Sequence, residues 1–200
     1  MAGDKLGGTM TDKPVTAFVG DSITAAGAWD EWFPELSTRN FGVDGDTTDG
    51  LIERLDEVIA SDPQTIVLLI GTNDLAERRS IERIVRNIET ALVRLHSELP
   101  DARILLVSVL PRGHEFAENV REINRHIWQF AATQRVHYLD LWPALARGDG
   151  ELSPEYTDDR LHLTAAGYDA WLSELRPALE RVNDLPPMSR PIRLPDLSAQ

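Results

Sequence analysis

VTAFVGDSITAAG, residues 15–27, is the stretch on which the fold turns. Its first six residues form an apolar, partly β-branched run that stops on Gly20, Asp21 and Ser22. A short apolar run bounded by turn residues reads as a strand buried on both faces, as in a parallel sheet. Ser22 therefore stands just beyond the end of a core strand. Working outward, TIVLLIG (65–71), RILLVSVL (103–110) and VHYLDL (136–141) read the same way, and RNFGV (39–43) is a weaker fifth strand. Between them the apolar period changes. Ile81, Ile84, Val85, Ile88, Leu92 and Leu95 recur at spacings of three and four within residues 80–99, which is one face of a helix. Leu51, Ile52, Leu55 and Ile59 mark a second helix, Val120, Ile123, Ile127 and Phe130 a third, and a last helix runs from Thr164 to about Val182. Alternation of this kind predicts an α/β fold in which crossover helices join about five parallel strands.

Composition narrows the function. Two hundred residues fit one domain with a sizeable core. With no cysteine, disulfides, thiolate metal sites and cysteine nucleophiles are excluded. A formal net charge of −13 repels phosphate backbones, so no nucleic-acid partner is expected. No apolar run reaches the roughly 20 residues of a membrane helix, and the N-terminus lacks the apolar centre of a signal peptide. The reading is a cytoplasmic protein without integral membrane association. MTDKPVTAF, from Met10, would itself make a sensible start, and the first nine residues are set aside. Residues 14–184 are expected to form the domain, with 1–13 a flexible N-terminal segment. The tail 185–200, LPPMSRPIRLPDLSAQ, carries too much proline for a helix and is expected to run extended over the surface or onto a partner subunit, which makes a homodimer an open expectation.

Parallel sheets bind ligands beyond the carboxyl ends of their strands. Four loops there carry reactive residues: GDSIT after the first strand, GVDGDTTDG after the second, GTNDL after the third and DDRLHLTAAG after the fifth. Acyl transfer needs a nucleophile, a base and a group that orients the base, and Ser22, His162 and Asp159 can supply them. It also needs donors for the oxyanion of the tetrahedral intermediate. The backbone N–H groups of Ser22 and Gly45 and the amide of Asn73 can supply those, with glycine at 45 letting the backbone approach the substrate. A histidine base predicts activity that falls below neutral pH.

The blocks GDSIT, NFGVDGDTT, GTND and DRLH resemble, in order and spacing, the four signature blocks of the GDSL esterases, also called SGNH hydrolases. The resemblance covers nearly the whole chain. It implies a flavodoxin-like three-layer α/β/α sandwich, with Ser22 as nucleophile and oxyanion donor, Gly45 and Asn73 as the other donors, and Asp159 with His162 completing the triad. Isoleucine stands at 23 where the family usually has leucine. SVLPRG (108–113), GTNDL and LHLTAAGY are most similar to the intracellular platelet-activating-factor acetylhydrolase branch. The implied activity is hydrolysis of short-chain acyl or acetyl esters of small molecules through an acyl-enzyme, without cofactor or metal. Lysophospholipids, thioesters and acetylated sugars fit the same chemistry.

Other readings stay beside this one. Asp21 and Asp74 read as loop braces. Trp29, Trp32 and Phe33 either wall an acyl pocket or anchor a helix in the core, and His114 is placed to rim the pocket. DGDTTDG fails the calcium-loop template, because Thr48, Asp49 and Leu55 stand where it wants a carboxylate or amide, glycine and glutamate. A nucleotide or flavin module would put a phosphate near GDTTDGL, yet G-x-G-x-x-G and a P-loop lysine are missing and Asp44, Asp46 and Asp49 crowd the spot. A catalytically retired fold serving as an interaction subunit would have shed at least one of the five roles.

Overall fold

A five-stranded parallel sheet in the order β2-β1-β3-β4-β5 forms the centre of the protein in the computed structural model, which describes residues 13–184. The strands are β1 (Val15–Gly20), β2 (Ser37–Gly42), β3 (Thr65–Leu69), β4 (Arg103–Val107) and β5 (His137–Leu139). The expected segment before residue 13 and the proline-rich tail from Leu185 lie outside the described residues. Alternate side chains of one strand point to opposite faces, and here both faces are buried. Ala17 and Val19, Ile66 and Leu68, Ile104 and Leu106 face one apolar cluster, while Phe18, Val67, Leu69, Leu105 and Val107 face the other. This two-sided burial is why the strands read as continuous apolar runs.

The first layer holds α3 (Thr48–Ala60), α5 (Ile81–Glu98) and α6 (Ala117–Thr133), which contribute Leu51, Leu55, Ile84, Ile88, Val120 and Ile127. α8 (Ala165–Asp184) dominates the second layer through Trp171, Leu172, Leu175 and Leu179. Four single-turn helices escape apolar periodicity because they are too short to show it: α1 (Ser22–Ala25), α2 (Trp29–Trp32), α4 (Thr72–Ala76) and α7 (Trp142–Leu145). Helix starts follow capping chemistry. Thr47 accepts from Gly50 N, Ser80 from Arg83 N and Thr164 from Gly167 N.

Several boundaries differ from the apolar runs. β4 stops at Val107, although the apolar run continues to Leu110. Beyond it the Asn124 side chain donates to Val109 O and accepts from Val109 N, taking the place of a neighbouring strand. β2 begins at Ser37 rather than Arg39, since its pairing with β1 extends to Val15↔Ser37. Among the described residues no helix is long and apolar enough to cross a membrane.

In this strand order the chain moves from β1 outward to β2 and then returns to β3 on the other side of β1. The crevice at such a reversal, at the carboxyl ends of β1 and β3, is where open α/β sheets bind ligands.

Candidate active site

Ser22 is the first residue of α1, two residues past Gly20, the last residue of β1. Asp21 caps that turn by accepting from Ile23 N at 3.0 Å, and Tyr168 of α8 donates its hydroxyl to Ile23 O at 2.6 Å. These two bonds fix the serine from below. The oxygen Ser22 Oγ lies 3.0 Å from His162 Nε2, and His162 Nδ1 lies 2.7 Å from Asp159 Oδ2. A carboxylate only accepts, so Nδ1 carries the proton and Nε2 is left to accept from the serine. The other oxygen, Asp159 Oδ1, accepts from Leu161 N, His162 N and Thr157 Oγ1. These bonds hold the Asp159 carboxyl well below its usual range, the contact with His162 contributing most. Such a chain lets a hydroxyl proton pass to the imidazole while the carboxylate stabilises the imidazolium.

Asn73 lies in α4, just after β3, and its Nδ2 donates to Asp46 O at 2.8 Å. One amide N–H is thereby anchored and the other remains. Gly45 sits in the loop after β2 with φ +72, and among the described residues its N–H has no acceptor. A Cβ at this position would meet nothing within 4 Å, so the backbone conformation, rather than lack of room, is what favours glycine. Both flanking carboxylates brace loops. Asp74, fully buried, accepts from Thr48 N at 2.9 Å and Thr48 Oγ1 at 2.6 Å, tying the Asn73 loop to the Gly45 loop. Asp21 is equally buried, and desolvation pushes its pKa up to about 7, with Asp46 adding to the shift.

Arg54 of α3 donates to Gly20 O at 3.0 Å and pairs with Asp46 at 2.7 Å, joining the end of β1 to the Gly45 loop. Nothing in the local sequence marks it out, because its role depends on where one turn of α3 lands. Tyr168 and Thr157 were missed for the same reason.

Of the two readings of the aromatic cluster, burial favours the core anchor for two of its three residues. Trp29 and Phe33, each 2% exposed, are core residues. Trp29 stacks on Phe18 at 4.1 Å between ring centroids, meets Trp171 edge-on at 5.2 Å and donates Nε1 to Thr24 O, which satisfies its one polar atom. Phe33 packs near Phe18 and lies under the guanidinium of Arg176. The half-buried Trp32 rests on Trp29 and Tyr168. His114 is exposed, 3.5 Å from Glu115. A cleft of about 370 Å³ between α6 and β5, lined by Trp128, Tyr138 and Trp142, contains none of the predicted site residues.

The profile of the GDSL-like lipase/acylhydrolase family matches residues 18–170. Platelet-activating factor acetylhydrolase IB subunit alpha1 of Rattus norvegicus is 33% identical over 168 residues, 78% of this chain and 71% of that protein. Subunit alpha2 from the same organism is 32% identical over 167 residues, covering 78% and 72%. Among solved structures, a GDSL-like lipase from Bacteroides thetaiotaomicron aligns with a TM-score of 0.72 at 25% identity, over 84% of this chain and 88% of that one.

Proposed function

The chain belongs to the GDSL-like lipase/acylhydrolase family, and on that premise we propose that it is a serine esterase that hydrolyses short acyl esters through an acyl-enzyme. The observation that carries this reading is the 3.0 Å approach of Ser22 Oγ to His162 Nε2, with Asp159 behind the same ring. As His162 Nε2 takes its proton, Ser22 Oγ attacks the ester carbonyl carbon, and the carbonyl π pair moves onto oxygen. The N–H groups of Ser22 and Gly45 and the remaining N–H of Asn73 meet that oxyanion. Collapse breaks the bond to the alcohol, which leaves with the proton from Nε2. Water then repeats the sequence on acyl-Ser22, releasing the acid and restoring the hydroxyl.

Openness supports short substrates. The His162 side chain is 51% exposed and Gly45 is exposed, which supports direct access of a small ester to the serine. The names of the relatives make an acetyl ester the first compound to test. The test pairs p-nitrophenyl esters of increasing acyl length with fluorophosphonate labelling, wild type beside Ser22→Ala. The expected result is turnover that peaks at acetyl or butyryl, a label on Ser22, and loss of both in the folded variant. Turnover that survives in Ser22→Ala refutes the reading.

A further inference from the structure

Arg112 follows β4, reaches the start of the Asn73 loop, and among the described residues forms no salt bridge. Its Nη1 donates to Thr72 O at 2.7 Å and to Thr72 Oγ1 at 3.2 Å, and Thr72 directly precedes Asn73. The guanidinium lies on the Phe116 ring, 4.2 Å from its centroid. Nε is buried without a partner, and among the described residues Nη2 makes no hydrogen bond and no carboxylate comes within 4.0 Å. The Nη2 end of the guanidinium is thus unused, while Nε beside it is closed off from solvent. Burial lowers the pKa of Arg112, and Glu115, Asp159 and Asp21 act in the opposite direction. Each of these three carboxyls is committed elsewhere. Glu115 pairs with Arg160 at 2.7 Å, Asp159 with His162, and Asp21 carries only part of its charge at neutral pH.

Half-burying a cation without a dedicated counter-ion is costly. A brace for Thr72 needs one neutral N–H, not a delocalised charge with donors to spare. Arginine is the side chain that matches the planar, paired oxygens of carboxylates and phosphates. We propose that Arg112 is a specificity residue, binding an anionic oxygen group, carboxylate or phosphate, carried by the ester substrate. The proposal rests on the esterase reading of Ser22.

The experiment compares kcat/KM on neutral and anionic esters of matched size for wild type, Arg112→Ala, Arg112→Lys and Ser22→Ala. On the acyl side the pair is p-nitrophenyl butyrate and mono-p-nitrophenyl glutarate. On the alcohol side phenyl acetate is set against 4-acetoxybenzoate, for a carboxylate, and against 4-acetoxyphenyl phosphate, for a phosphate. In Arg112→Ala at least one anionic ester is expected to lose roughly 10- to 100-fold more than its neutral partner, the range of a charged hydrogen bond, and Arg112→Lys recovers part of the loss. In wild type the anionic-to-neutral ratio falls as salt rises, a measurement that needs no variant to fold. Equal losses on both members of every pair, or a ratio indifferent to salt, overturn the proposal and leave the esterase intact. Neutral-ester turnover that persists in Ser22→Ala overturns the esterase reading instead, and the subsite with it.

Discussion

The two sides of the candidate site are built in opposite ways. On the Asn73 side the bracing groups Asp74 and Thr48 are fully buried. Asp74 holds Thr48 through two bonds, Asn87 donates to Thr48 Oγ1 at 3.0 Å and to Asp49 at 2.9 Å, and Arg54 ties Asp46 to Gly20. On the His162 side the two key side chains are about half exposed, 51% for His162 and 53% for Asp159. Arg160, between them in sequence, takes a left-handed φ of +68 and reaches Glu151 and Glu115 at the surface. Donors for a developing charge act only if they are already in place, so they need a buried, mutually supporting network. A carboxylate and histidine three residues apart need less. Their geometry is set by one local turn in which Asp159 Oδ1 accepts from Leu161 N and His162 N.

If this contrast is right, substitutions on the buried side have the larger effects. Asn73→Ala is expected to lower kcat about 100- to 1,000-fold with little change in KM, because the missing N–H matters most when charge sits on the oxygen. Steady-state kinetics on a neutral ester decides it, and a change confined to KM would remove Asn73 from the oxyanion role. Next comes Asp21→Asn, read by melting temperature against pH. The folded carboxyl has a pKa near 7 against an ordinary value of 3.8. Between those values the folded chain keeps a proton that the unfolded chain has lost, so native stability declines as pH rises through that window. Asparagine cannot ionise and can still accept from Ile23 N. The stabilising advantage of Asp21→Asn should therefore grow from pH 4 to pH 7, to on the order of a few kcal/mol, and then level off. An advantage that does not vary with pH would break the assignment. Smallest is Arg160→Ala on the exposed side: a slight drop in melting temperature at low salt that disappears in concentrated salt, as for screened surface pairs. Arg160→Gly should melt higher than Arg160→Ala, since glycine relieves the left-handed backbone. A large, salt-insensitive loss in Arg160→Ala would mean that the exposed loop depends on tertiary support after all.

Legibility followed the range of the interactions. The spacing of Ile84, Ile88 and Leu92 marks α5, and Ser80 marks its start, because periodicity and caps are local. The end of β4 was read three residues late, because Asn124, fifteen positions on, supplies the bonds that replace a strand partner at Val109. Trp29 shows the limit most clearly. An aromatic cluster soon after a candidate nucleophile fits a pocket wall and a core anchor equally well, and only the stacking on Phe18 and the edge-on contact with Trp171 choose the core.

By itself the sequence determined the α/β alternation and the residues whose chemistry suits acyl transfer, because buried strands, helical faces and turn blocks each leave a local pattern. Which loops meet was decided in three dimensions. Ser22 and His162 lie 140 positions apart and touch at 3.0 Å because the order β2-β1-β3-β4-β5 gathers the strand ends at one edge and α8 runs back beneath α1. The bonds from Arg54, Asp74, Tyr168 and Arg112 exist only once that packing is complete, for each joins elements whose spacing along the chain carries no record of their distance in space.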